Sequence, residues 1–163
     1  MLNIVLLEPE MPANTGNIGR TCVATGSVLH LIEPMGFRLN EKMIKRAGLD
    51  YWDKLDVRTY INYEDFLAKN PSAKIYMATT KSKQTYTDVQ YEDGCYIMFG
   101  KESAGIPEEI LLENKDTCIR IPMLSDIRSL NLSNSVAIVT YEALRQLEFS
   151  HMQMEGQLHN YEW

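Results

Sequence analysis

The feature that most constrains this chain is a recurring set of short, predominantly apolar runs separated by helix-length segments. Leu2 to Leu7, Val28 to Ile32, Val57 to Ile61, Lys74 to Thr79, Cys95 to Phe99 and Thr117 to Ile121 each read as a strand. They lack the polar alternation of a half-solvated strand, so both faces of the sheet must be covered. Between them, Thr15 to Thr25 reads as a helix with Asn14 or Thr15 as cap and Gly26 as stop. Further helices are expected over Asn40 to Ala47, Tyr63 to Lys69, Pro107 to Leu112 and Val136 to Leu147. This alternation predicts an α/β fold, a mostly parallel sheet with helices on both faces. At 163 residues the simplest organisation is one domain over 1–149 and a mobile tail over 150–163, where the periodicity is lost.

Composition narrows the function. A net charge of −6 argues against a protein that coats nucleic acid without specificity. It leaves room for a local basic face, and Arg38, Lys42, Lys45 and Arg46 crowd one segment against Glu41 alone. No apolar run approaches the ~18 residues of a membrane span, and MLNIVLLEPE lacks the basic start of a signal peptide. Cys22, Cys95 and Cys118 are odd in number and embedded in apolar runs, as expected of buried thiols in a reducing cytoplasm. With His30, His151 and His159 scattered, no metal site is expected.

Three strand-end loops carry unusual chemistry: Glu8 to Gly19, Gly100 to Pro107, and Pro122 to Ser135. In open parallel sheets, ligands bind beyond the carboxyl ends of strands. The third loop places six hydrogen-bonding side chains within eight residues: Arg128, Ser129, Asn131, Ser133, Asn134 and Ser135. Two readings stand side by side. One is a loop that grips a ligand; the other is a decorated helix start capped by Ser133. Familiar phosphate motifs fail. Gly94 lies six positions before Gly100, one too many for a P-loop, and Glu102 replaces the required hydroxyl. The first strand is followed by Gly16-Asn17-Ile18-Gly19, not by a dinucleotide fingerprint, and that position is wrong for the Gly-x-x-Gly loop of an RNA-binding KH module.

Taken in order, the runs NTGNIGR from Asn14 to Arg20, IMFGKESAGIP from Ile97 to Pro107, and IPM from Ile121 through RSLNLSN ending at Asn134 resemble the three motifs of the SPOUT class of RNA methyltransferases. The chain is most similar to the tRNA (cytidine/uridine-34) 2′-O-methyltransferase group. The likeness continues through Ile32 to Phe37, Arg46 to Tyr51 and Thr79 to Lys81, and departs at Lys101, where Pro is common. It implies a C-terminal deep trefoil knot, which no periodicity in the chain shows. It also implies S-adenosylmethionine as cofactor, held at Ala78, Thr79, Gly100, Ile121, Ser129 and Leu130. A glycine at position 100 suits a close approach of backbone to cofactor. The resemblance further implies a homodimer acting on the anticodon loop of tRNA, leucine-accepting tRNA first, in the cytoplasm.

The implied reaction moves a methyl group from a sulfonium to a ribose 2′-oxygen. Arg20, Asn14, Glu102, Ser129 and Asn131 are the catalytic candidates. A guanidinium stays protonated, so Arg20 is expected to stabilise the developing oxyanion or hold a phosphate instead of taking the proton. Glu102 is expected to pair with Arg20 or Arg128. Arg38, Lys42, Lys45, Arg46, Tyr51 and Arg128 are candidates for RNA contact. Competing readings are methylation of another RNA such as ribosomal RNA, a non-catalytic module that keeps the cofactor pocket, and a flavodoxin-type nucleotide binder. Joint retention of Asn14, Arg20, Glu102, Ser129 and Asn131 argues against the non-catalytic module, and the third loop against the flavodoxin type.

Overall fold

A computed structural model describes residues 1–39 and 51–163. Six parallel strands form one sheet: β1 (Asn3–Leu7), β2 (Val28–Ile32), β3 (Val57–Tyr60), β4 (Ile75–Ala78), β5 (Tyr96–Phe99) and β6 (Cys118–Ile119), in the order β3-β2-β1-β5-β4-β6. The register sets Ile4 between Leu29 and Ile97 at the centre. The helices are α1 (Pro12–Thr25), α2 (Tyr63–Lys69), α3 (Glu108–Glu113) and α4 (Leu132–Gln146).

Side-chain alternation explains why these strands read as continuously apolar. Ile4 and Leu6 of β1 join Leu29, Leu31, Ile97 and Phe99 in a core shared with Ile18 and Cys22 of α1 and Val136, Val139 and Ala143 of α4. Val5 and Leu7 face the other way, into a core with Phe66 of α2 and Leu111 of α3. Helices therefore cover both faces, as expected. The helix expected over Asn40 to Ala47 lies outside the described residues. No helix among the described residues is long and apolar enough to cross a membrane.

Two helix starts differ from expectation. α1 begins at Pro12, so Asn14 lies inside its first turn and caps nothing there. Proline suits that place because its missing N–H would be unpaired anyway. α4 begins at Leu132 with Asn131 as its cap, so Ser133 lies within the helix. β6 is only two residues long. Beyond it, Arg120 bonds through its backbone to Gln84 and Tyr86 of the loop after β4.

One polar group lies deep in the sheet. His30 is fully buried, with Nδ1 2.8 Å from the Tyr60 hydroxyl and Nε2 3.0 Å from Asn3 Oδ1. Burial pushes its pKa down to about 4, helped by the Arg58 charge and opposed by Asp56. A histidine held neutral in the fold contributes its full stability above its ordinary value of 6.5, and loses it as the pH falls toward 4. The loss should reach roughly 3 kcal/mol. Urea unfolding across that window should show this slope, and His30→Gln should lack it.

Candidate active site at the carboxyl edge of the sheet

The loops after β1 and β5 are clasped together by a reciprocal set of contacts. Glu8 turns the chain after β1 with a φ of +53°, a left-handed conformation unfavourable to L residues. Its carboxylate pairs with Lys101 Nζ at 2.8 Å. Glu10 accepts from the Ser103 amide and hydroxyl, both at 2.9 Å. Glu102 reaches back and accepts from the amides of Glu10 at 2.8 Å and Met11 at 3.2 Å. These amides stand at the start of α1, whose own cap residue Met11 offers no side-chain acceptor. A carboxylate 91 and 92 residues downstream of these amides thus takes the place of a local cap.

The clasp extends to the third loop. Glu102 also accepts from Asn14 Nδ2 at 3.0 Å, and Asn14 Oδ1 accepts from Asn131 Nδ2 at 3.1 Å. Asn131 Oδ1 in turn accepts from the Ser133 amide at 2.9 Å and the Ser133 hydroxyl at 2.7 Å, capping α4. Burial alone would raise the Glu102 pKa; the bonds from Asn14 and the surrounding amides outweigh it and hold the carboxyl below the ordinary glutamate value. Glu102 therefore supports the fold above that value, and the support is lost as the pH falls through its lowered pKa. A carboxylate so occupied is a poor base. It does not pair with Arg20 or Arg128, contrary to expectation.

Beside the clasp lies a cavity of about 660 Å³, within the usual range for small-ligand sites. Ala78 and Thr79 after β4, Gly100 and Glu102 after β5, and Ile121 after β6 line it. Asn14, Arg128, Ser129, Leu130 and Asn131 complete the predicted set around it. Gly100 is required for a reason other than the expected one. A Cβ there would overlap the backbone of Gly105 and Ile106, because the loop folds back with the Gly105 amide bonded to the Lys101 carbonyl at 2.8 Å.

Several predicted residues lie elsewhere. Arg20 is exposed on α1, outside the cavity lining, with its guanidinium 4.5 Å from the centre of the Tyr51 ring. Tyr51 is buried, and its hydroxyl donates to the Gly16 carbonyl, so its ring braces α1 and is not offered for base stacking. Arg38 stands exposed at a separate hollow, while Lys42, Lys45 and Arg46 lie outside the described residues. Sequence reasoning missed Tyr86, which lines the cavity because its amide bonds to the Arg120 carbonyl at 2.9 Å. It also missed Glu8 and Glu10, whose partners are 93 residues away. Nothing local in the sequence signals either pairing.

The sequence profile of the SpoU rRNA Methylase family matches residues 1–141. The chain belongs to that family. An Escherichia coli K12 relative named tRNA (cytidine(34)-2′-O)-methyltransferase is 51% identical over 154 residues, covering 91% of this chain and 96% of the relative. A solved structure described as giving insight into 2-OH methylation of C/U34 on tRNA is 41% identical, covers 91% of this chain and 97% of its own, and superposes with a TM-score of 0.85. An AdoMet-bound rRNA methyltransferase from Sinorhizobium meliloti is 25% identical with a TM-score of 0.78, covering 90% of this chain and 56% of that longer protein.

The chemistry of the cavity suits the same cofactor. Ala78, Ile119, Ile121 and Leu130 supply apolar wall, the Gly100 turn brings backbone to the lining, and Glu102 places a negative charge at the cavity wall. Gly100→Ala must displace Gly105 and Ile106, which line this cavity. Calorimetry should show S-adenosylmethionine affinity at least about 100-fold weaker in that variant, in a protein that still folds.

Proposed function

We propose that this chain transfers the methyl group of S-adenosylmethionine to the ribose 2′-oxygen of the wobble nucleotide, position 34, in tRNA. The observation that carries the reading is the direct tie from Glu102 through Asn14 to Asn131, which joins three distant motif loops around one cavity. Relatives named for this reaction support it across nearly their full length. S-adenosylmethionine, when bound, supplies a methyl group on a positively charged sulfur.

The chain's residues then have separable tasks. Ala78, Thr79, Gly100, Ile121, Ser129 and Leu130 would hold the donor in a cavity of mixed polar and apolar lining, where alignment supplies much of the gain. Glu102, Asn14 and Asn131 fix the loops, and the exposed Arg128 at the rim meets an RNA phosphate. Arg20 stabilises the developing oxyanion; the O–CH3 bond forms as the S–CH3 bond breaks to leave a neutral thioether, and the hydroxyl proton passes to an RNA phosphate or to water. Since Arg20 lies outside its own chain's cavity lining, we infer that the working unit is a homodimer in which each cavity receives this arginine from the second copy. Arg38, with Lys42, Lys45 and Arg46, supplies further phosphate contacts to the anticodon loop.

We further infer a knotted C-terminal part, a cytoplasmic setting and one catalytic unit. A deep trefoil knot in the C-terminal part is the topology that the family resemblance of the three motif loops implies. A cytoplasmic setting is supported by three free, buried thiols. The catalytic unit spans 1–149, with 150–163 a tail outside it that is mobile beyond Met152, whose side chain packs on the α1–α4 core.

Incubation of purified protein with tritiated donor and tRNA should place the label on the 2′-oxygen of nucleotide 34. Arg20→Ala should lower turnover by about 100-fold or more while donor binding is retained; turnover within a few-fold of wild type would remove Arg20 from the mechanism. Light scattering should show a dimer at micromolar concentration, and a monomer would contradict the two-copy site.

A further inference from the structure

We propose that the hollow between the loop after β2 and strand β3 is a subsite for one unstacked nucleobase next to the methylated nucleotide, with Phe37 as its stacking platform. The hollow has a volume of about 520 Å³, and Glu33, Phe37, Arg38 and Thr59 line it. It rests on the reading above, because it assigns a contact to that RNA.

The position of Phe37 is fixed by its neighbours. Met35 and Leu39 turn inward and pack against the α1–α4 core. Gly36 between them donates its amide to the Pro9 carbonyl at 2.9 Å, and a Cβ at Gly36 would stand 2.7 Å from the Glu10 carbonyl oxygen. The loop is therefore pinned to the segment that clasps Ser103 and Glu102. Phe37, between them in sequence, lines the hollow beside Met35 and Leu39. It is half-buried and, among the described residues, joins neither core cluster. An aromatic ring outside the core clusters, on a wall that mixes Pro34, Met35 and Leu39 with polar neighbours, suits base stacking.

The neighbours select the ligand. Arg38 is exposed and makes no ion pair among the described residues, so it is available to a phosphate. Glu33 would repel a phosphate seated in the hollow, yet its carboxylate accepts from an exocyclic amino group, as acidic side chains do with cytosine. A base bearing such a group fits best, with its phosphate outside on Arg38. The location matches as well. All strands are parallel, so this hollow and the methyl-donor cavity open on the same sheet edge, with the loop after β1 between them. Strand spacing puts their centres roughly 15–20 Å apart, a step of a few nucleotides along a single strand.

The test uses the full chain, S-adenosylmethionine and anticodon stem-loop RNAs with a single abasic site at each loop position in turn. Transfer to nucleotide 34 of the intact RNA by wild type is measured first; its absence contradicts the assigned function, whereas its presence leaves this subsite as the only matter tested. One abasic position should weaken wild-type binding about 10-fold, within the usual effect of one stacked base. Phe37→Leu should weaken intact RNA to the same extent and lose nothing further on that abasic RNA, with donor affinity unchanged. If Phe37→Leu also loses the donor, Phe37→Trp replaces it, and should tighten intact RNA but not the abasic one. Glu33→Gln should narrow the preference for cytosine or adenine over uracil at that position. Additive losses at every position, or wild-type affinity in Phe37→Leu, would overturn the proposal.

Discussion

The structure depends on one carboxylate whose partners all lie in the first motif loop, one of which, Asn14, passes the tie on to the third. Glu102 caps α1, holds Asn14, and through Asn14 holds Asn131, the cap of α4. Hydrogen bonds to an ionised group are worth roughly 1.5–3 kcal/mol each, about twice a neutral one. Both helix starts on one face of the sheet are therefore set by the same group. The cavity walls follow, because Gly100 precedes Glu102 by two residues and Ser129 and Leu130 precede Asn131 directly.

This arrangement separates positioning from chemistry. Glu102, Asn14 and Asn131 spend their polar atoms on one another and on backbone, which leaves little capacity to accept a proton. Groups with freedom to meet RNA stand at the rim, namely Arg128 beside the cavity and Arg38 farther along the edge. Lys101 belongs to the positioning side. Its ion pair with Glu8 fastens the second loop to the turn after β1 and compensates the positive φ there.

Much of this was legible in the sequence because it is local. Parallel strands buried on both faces produce continuous apolar runs, so β2 and α2 match their expected bounds and the other described strands lie within a few residues of theirs. The cavity lining was legible as an ordered set of motifs, from Ala78 to Asn131. Long-range pairing was not. The start of α1 at Pro12 is set by Glu102, a residue that no local pattern connects to it. Tyr86 enters the cavity only because Arg120 bonds to its loop. Tyr51 looked like a free aromatic beside a basic run, yet its hydroxyl is committed to Gly16. Gly19 explains how: the Leu55 and Trp52 side chains lie 3.0 and 3.3 Å from where its Cβ would be, so a larger residue would crowd that segment off α1.

The most direct test of the central claim is residue-resolved amide hydrogen exchange on wild type and Glu102→Gln, with donor affinity measured in parallel. If one carboxylate sets both helix starts, exchange in the variant rises at Glu10 and Met11, and also at Ser133 and Asn134, which Glu102 does not touch. S-adenosylmethionine binding weakens with it. Faster exchange confined to Glu10 and Met11, with Ser133, Asn134 and donor affinity unchanged, would contradict the account.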